Sequence, residues 1–324
     1  MPRPIHESVV VVTGASSGIG KATALELAAR GASVVLAARR EEELEEARHE
    51  VERRGAGGAL AVPTDVTSEA QVERLAQRAV ETFGRIDAWV NNAAVGAYGR
   101  IEDTATDVFR RILDTNVMGY VHGTKAALAR FRLQGSGVLV FVDSLVAGAP
   151  QPYTAAYGMS KAAIRSFAES LRMELLLDGA RGIHVCTVLP ATIDTPFFHH
   201  AANYTGRVLR ALPPVYPPEQ VARRIVRVME RPRREVFVGR ASRLGALQHT
   251  LAPGLYHRVA ARQIDRHHLV DRPADETSGN VFEPMRDGGG VSGGWKRTGP
   301  TVDRALLGLA AAVPAAVLLW ARRR

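Results

Sequence analysis

As far as residue 190 the sequence repeats one pattern, an apolar run of strand length followed by a longer stretch of helical period. The runs cover 8–13, 33–37, 59–62, 88–91, 138–142 and 184–189, and the helical stretches between them 19–30, 41–53, 69–83, 106–131 and 155–177. Strands joined through helices cannot be hairpin partners. Crossovers of this length build a parallel sheet covered by helices on both faces. The predicted fold class is therefore α/β, a doubly wound parallel sheet.

The alternation stops at Pro190. Residues 192–218 read as a long insertion whose end is marked by Pro213, Pro214, Pro217 and Pro218; 219–231 resumes a helix and 235–239 a last short strand. Residues 242–266 can be helical with a break at Pro253-Gly254, and 286–301 carry six glycines, the composition of a flexible linker. The expected organisation is a domain over 1–240 with its substrate loop at 191–218, a helical extension over 241–285, a linker over 286–304 and a tail over 305–324.

The tail holds an uncharged run, 305–321, followed by Arg322, Arg323 and Arg324. It is apolar enough to enter a bilayer yet shorter than the roughly 20 residues of a spanning helix. If it spanned, Arg322–Arg324 would be drawn to the cytosol and the main domain pushed away from it. Shallow insertion from the cytosolic face, bent at Pro314, removes that conflict. Membrane association is favoured, with a packed helix and a disordered end as the other readings.

The formal net charge of +9 belongs to one end: 207–324 hold 21 Lys and Arg against 10 Asp and Glu, and 1–206 hold 21 against 23. The first two thirds lack the basic footprint of a nucleic-acid binder. In the last third a membrane surface competes with nucleic acid as partner, and no nucleic acid is expected. Cys186 is the only cysteine and sits in a strand pattern, so it reads as a buried small hydrophobe in a reducing compartment. A strand pattern within eight residues of Met1 leaves no room for a signal peptide, which makes the cytoplasm the expected location, with attachment to a membrane's cytosolic face if the tail binds.

The first strand empties into Thr13-Gly14-Ala15-Ser16-Ser17-Gly18-Ile19-Gly20, and a helix starts at once. Glycines here allow a sharp turn and close approach to a pyrophosphate, met by the N–H groups and positive end of the helix. Together with Asn91-Asn92-Ala93-Ala94, Asn116, Ser144 and Tyr157-Gly158-Met159-Ser160-Lys161, in this order, the spacing closely resembles the short-chain dehydrogenase/reductase family from about Ser8 to Gly239. The resemblance implies a Rossmann-type sheet and an oxidoreductase using a nicotinamide cofactor. Its members usually pair through the helices that correspond to 106–131 and 155–177, so a homodimer or homotetramer is expected.

Apart from any family, Tyr157 and Lys161 lie one turn apart on one helix face, so the ammonium can sit near the phenol. A nearby positive charge lowers a tyrosine pKa toward working pH, as a general acid/base requires. By resemblance, Tyr157 exchanges the proton with substrate oxygen, Lys161 also binds the nicotinamide ribose, Ser144 hydrogen-bonds the same oxygen, and Asn116 holds a water that links Lys161 to solvent. Gly14, Ser16, Ser17, Gly18, Ile19 and Gly20 would cradle the pyrophosphate, and Asn92 and Ala93 the nucleotide.

The second strand runs into Ala38-Arg39-Arg40, where NAD-preferring relatives place an acid. Arg39 is the better candidate for a charge-assisted contact to a 2′-phosphate, so NADP(H) is the expected cofactor. Asp65 matches the family position that contacts adenine. Two positions depart from the pattern, Ala94 and Ala191 in place of glycine; Ala191 restricts the loop of Pro190 and Thr192, where Thr192 is a candidate contact to the nicotinamide amide. Phe197, Phe198, Tyr204, Leu209, Leu212 and Tyr216 suggest an apolar substrate pocket, or a lid packed on its own core. His199-His200 and His267-His268 are adjacent pairs without the geometry of a helical metal site, and no metal is expected. The reading is hydride transfer between NADP(H) and a carbonyl or alcohol of an apolar substrate; the rival is a non-catalytic nucleotide-binding sensor or scaffold of the same fold.

Overall fold

The computed structural model describes residues 2–285 and 289–295. Its centre is a sheet of seven parallel strands, β1 (Val9–Thr13), β2 (Ser33–Ala38), β3 (Gly58–Pro63), β4 (Ala88–Asn91), β5 (Gly137–Val142), β6 (Ile183–Pro190) and β7 (Glu235–Val238). Their spatial order is β3-β2-β1-β4-β5-β6-β7, so the chain reverses direction of winding between β1 and β4. A crevice opens at that switch point, beyond the carboxyl ends of the strands.

Every residue of β1 is buried, which explains its unbroken Val9-Val10-Val11-Val12. Val10, Val12, Val34 and Leu36 meet α1 (Gly18–Ala28), α2 (Glu41–Arg53) and the helix Pro218–Glu230 through Leu27, Leu44 and Ile225. The alternate residues Val11, Val35, Trp89 and Leu139 face α3 (Glu69–Phe83), α5 (Gly119–Gln134) and α6 (Ala155–Leu177) through Leu75, Phe131 and Ile164. Cys186 lies in the first of these clusters as a buried free thiol. α3 shows why some bounds are sharp. Ser68 accepts from the Gln71 amide at its start, and Gly84, at φ 78°, takes the left-handed position past its end.

The expected helix over 106–131 is interrupted: α4 (Thr106–Leu113) passes through a π-helical turn, Asp114–Met118, into α5. Asn116 in that turn bonds both backbone groups of Val95 and the Ser160 hydroxyl, and these long-range bonds accompany the departure from regular α geometry.

The insertion after β6 is less irregular than its sequence suggests. It contains a helical turn, Phe197–His200, then Ala202–Asn203, which pairs in parallel with Ala97–Tyr98, and Arg207–Leu209, which pairs antiparallel with Leu269–Pro273. Helix α7 (Pro218–Glu230) follows. The extension contributes α8 (Arg240–Leu251) and α9 (Pro253–His267), separated at Ala252 as the Pro253-Gly254 break predicts. Beyond α9 the chain crosses toward the cleft, where Val281 is fully buried against Val95, Val108 and Ile112. Among the described residues no helix is long and apolar enough to cross a membrane. The tail read as a membrane anchor lies outside the described residues.

Candidate active site

The turns after β1 and β4 are locked together at the switch point. Thr13 Oγ1 accepts from the Asn92 and Ala93 amides at 3.0 and 3.2 Å, and Asn92 Nδ2 donates to the carbonyls of Thr13 and Gly14 at 2.8 and 3.3 Å. Gly14 has φ 67°, and a Cβ on Gly20 would lie 2.1 Å from the Gly14 oxygen, so only glycine fits either place. This packing holds the first turn of α1 open toward the cleft.

Gly14, Ser16, Ser17, Gly18, Ile19, Asn92 and Ala93 line one cavity of about 310 Å³ together with Arg39, Asp65, Ser144, Tyr157, Lys161, Pro190 and Thr192. Gly20 and Asn116 do not. Gly20 supports the loop from behind, and Asn116, fully buried, spends its amide on Val95 and on Ser160 of α6. Asn116 thus ties the chain after β4 to the helix that carries Tyr157 and Lys161.

α6 presents Tyr157 and Lys161 to the cavity, opposite Ser144 just past β5. Lys161 Nζ donates to the Val142 carbonyl at 2.8 Å and stands 5.6 Å from the centre of the Tyr157 ring. The Tyr157 ring packs at 5.3 Å, centre to centre, on Phe197. Ser144 Oγ accepts from the Val146 amide at 3.3 Å, which leaves its hydroxyl proton for another acceptor.

Against the expectation of a lowered phenol, burial pushes the Tyr157 pKa above the ordinary tyrosine value; hydrogen bonding to Ser144 opposes the rise and the Asp143 carboxylate adds to it. The ammonium is directed to the Val142 carbonyl, and burial pulls the Lys161 pKa below the usual lysine range, with Asp143 opposing. Asp143 itself is raised by burial, with Lys161 and the Ser144 backbone amide opposing. Sequence reading missed Asp143, which carries no spacing signal beyond standing next to Ser144.

At the other end Asp65 accepts from the Thr67 amide and hydroxyl and from Arg111 at 3.1 Å. Burial raises its pKa, but these bonds outweigh it and hold the carboxyl below the usual range. Arg40 is ion-paired with Glu43 at 2.9 Å. Arg39 instead donates to two backbone carbonyls of the extension, Asn280 at 2.8 Å and Phe282 at 3.1 Å. Asn280, Pro284 and Met285 line the cavity on that side. Past them the described part of the glycine-rich segment also touches the site. The Gly290 carbonyl accepts from the Gly18 amide at 3.0 Å, and Ser292 Oγ and the Trp295 amide donate to Asp194, both at 2.8 Å. These backbone contacts leave no sequence signature.

Neither departure from glycine strains the chain. Among the described residues Tyr153 is the only non-glycine with positive φ, so Ala94 and Ala191 have ordinary backbones. Of the apolar insertion residues, Phe197, Phe198 and Leu212 line the cavity. Tyr204 packs beside Val95 and Val281, Leu209 beside Tyr98 and Leu269, and Tyr216 on the sheet core. The loop is therefore part pocket and part packing. Tyr98, Thr195 and His268 also line the cavity and were not legible as site residues.

A nicotinamide dinucleotide fits this donor set. A glycine cradle closed to any Cβ faces a helix start, Arg39 stands near Asp65 with its guanidinium on backbone carbonyls, and Tyr157 and Lys161 close the opposite end. The model of the short chain dehydrogenase family matches residues 8–204. An uncharacterized oxidoreductase, YxnA of Bacillus subtilis, is 35% identical over 98% of this chain and 91% of its own. The 3-ketodihydrosphingosine reductase of Bos taurus is 34% identical over 70% of this chain and 69% of its own. Among solved structures, an alcohol dehydrogenase from the archaeon Thermococcus sibiricus complexed with 5-hydroxy-NADP superposes with TM-score 0.63 and 26% identity, covering 71% of this chain and 95% of that one. An NAD+-bound xylitol dehydrogenase gives TM-score 0.56 and 35% identity over 59% and 72%. With the family model spanning more than half of the sequence and YxnA aligned along nearly all of it, the chain belongs to the short-chain dehydrogenase family, as an oxidoreductase of CH–OH and C=O groups that uses a nicotinamide cofactor.

Proposed function

We propose that the protein is an NADPH-dependent reductase of apolar ketones or aldehydes, with Tyr157 as the proton donor. The observation that carries this reading is the placing of Tyr157 and Ser144 on the same cavity as the glycine loop. Bound NADPH supplies the hydride. Ser144 has a hydroxyl proton to give to the substrate oxygen as negative charge develops there, and Tyr157 delivers the proton that completes the alcohol. Burial raises the Tyr157 pKa and so holds the phenol in its protonated form, the form that donates. Lys161 places a positive charge beside this end of the cavity, and Asn116 fixes α6 against the chain after β4.

Arg39 supports NADPH over NADH. Its hydrogen bonds among the described residues go to neutral carbonyls, with the Asp65 and Glu283 charges nearby, and a phosphate is a stronger hydrogen-bond acceptor for a guanidinium than a carbonyl. Phe197, Phe198 and Leu212 support an apolar substrate, and the name of the bovine relative is in keeping with a lipid-like one. Exposed Leu133 at the end of α5 and Met173, Leu176 and Leu177 on α6 support pairing of two copies through these helices. The test is turnover of a panel of aliphatic ketones and aldehydes with each cofactor. Higher kcat/KM with NADPH is expected; preference for NADH, or no turnover of any apolar carbonyl, contradicts the reading.

A further inference from the structure

The substrate side of the cavity is walled by aromatic rings that step away from the proton donor. Phe197 lies 5.3 Å from Tyr157 and 5.6 Å from Phe198, and Phe198 lies 6.5 Å from Tyr98 and 5.6 Å from His268, all centre to centre. Tyr98 and His268 meet edge to face at 4.9 Å, and both line the cavity. They are 3% and 2% exposed, so whatever their polar atoms lack from the protein must come from within the cavity.

Their polar atoms are incompletely used. The Tyr98 hydroxyl makes no hydrogen bond among the described residues. His268 Nδ1 meets the backbone carbonyl of Arg210. A carbonyl only accepts, so Nδ1 carries the ring proton and, in the neutral ring that burial favours, Nε2 is a bare acceptor. No hydrogen bond to Nε2 is found among the described residues. Polar atoms on residues that line a cavity, and that no protein group engages, are available to bond what the cavity holds.

Both side chains are also held by paired backbone. Tyr98 belongs to the strand Ala97–Tyr98, paired with Ala202–Asn203, and His268 is the cap just past α9, immediately before Leu269–Pro273, paired with Arg207–Leu209. A few polar groups set among aromatic rings are the arrangement by which a pocket fixes the orientation of a ligand.

We propose that Tyr98 and His268 form a specificity subsite that receives a hydrogen-bond-donating substituent, a hydroxyl or an amine, carried by the substrate close to its reacting carbonyl. The substituent donates to His268 Nε2 and exchanges a hydrogen bond with the Tyr98 hydroxyl, while the apolar part of the substrate lies against Phe197 and Phe198. This inference rests on the reductase reading for the reacting carbonyl, and adds to it the chemistry of the neighbouring group. A site built to bond a polar group rejects the analogue that lacks it more strongly than an apolar site rejects an added hydroxyl.

The test compares a medium-chain methyl ketone with its α-hydroxy and α-amino analogues of equal chain length, using the full chain as wild type, Tyr98→Phe and His268→Asn. Asparagine keeps a donor for the Arg210 carbonyl and deletes the second ring nitrogen. The wild type is expected to favour the substituted ketones in kcat/KM, and each variant to lower that preference by roughly tenfold or more. Binding of the matching amino alcohol and plain alcohol to the NADP-saturated protein is measured in parallel. A preference in binding that both variants lose supports the subsite even if no ketone turns over, a result that overturns the reductase reading instead. Turnover or binding with no preference in the wild type, or a preference that both variants retain, overturns the subsite alone.

Discussion

The two walls of the cleft are built by opposite means. On the sheet side, the glycine loop, Ser144 and the Tyr157–Lys161 pair stand at the ends of strands or on one helix face, placed by elements whose sequence pattern dictates them. On the C-terminal side, Arg39 is held by the carbonyls of Asn280 and Phe282, Asp194 by Ser292 and Trp295, and His268 by the Arg210 carbonyl. In the proposed function the first wall carries the groups for proton transfer and the second governs what reaches them. On that reading chemistry belongs to groups set by the sheet and its helices, and selection to segments joined by hydrogen bonds between distant parts of the chain.

The sharpest way to break this division is to remove a group from the first wall. Lys161→Met should lower kcat for ketone reduction by roughly a hundredfold or more while the fold, followed by circular dichroism, is kept. A loss of only a few fold would move the charge out of the chemistry. On the second wall Arg39→Ala should raise KM for NADPH by roughly ten- to a hundredfold and leave KM for NADH nearly unchanged, the loss of one charge-assisted contact. Equal losses with both cofactors would make Arg39 a tie for the extension instead of a phosphate ligand.

A pH profile sharpens the comparison further. The Lys161 pKa is lowered by burial, so its charged form is present below that pKa and lost as pH rises through it, earlier than for a free lysine. Reductive kcat/KM should therefore fall on an alkaline limb that begins below the ordinary lysine range, and the limb should be absent in Lys161→Arg. The smallest effect is expected in the extension itself. A Cβ on Gly279, at φ 52°, would lie 2.2 Å from the His200 carbonyl, so Gly279→Ala should lower Tm by a few degrees, about 1 kcal/mol or more. KM should rise while the sheet's hydrogen exchange is unaltered.

How far the sequence could be read follows the same line. The bounds of α2, α3 and α6 match their periodic patterns residue for residue, because each buries a regular stripe such as Leu44, Ala47 and Val51. Strand positions follow for the same reason, with ends moved by a residue. The π-helical turn at Asn116 was not legible, since its cause is a set of bonds to Val95 and Ser160 that lie far off in sequence. Nor were the contacts of 277–285 and 289–295: a carbonyl accepting from Arg39, or a Gly290 oxygen beside Gly18, is available to any sequence. The direction of the Tyr157 shift is not legible either, because spacing shows that Lys161 is near and hides both the burial of the phenol and the turning of the ammonium to the Val142 carbonyl.

The central claim is that Tyr157 delivers the proton for reduction by NADPH. It is tested most directly by following NADPH consumption and alcohol formation together in wild type and Tyr157→Phe, with NADPH binding measured on both. The account predicts binding retained and turnover lowered by roughly 10²–10⁴-fold in the variant. Turnover within a few fold of wild type would contradict it.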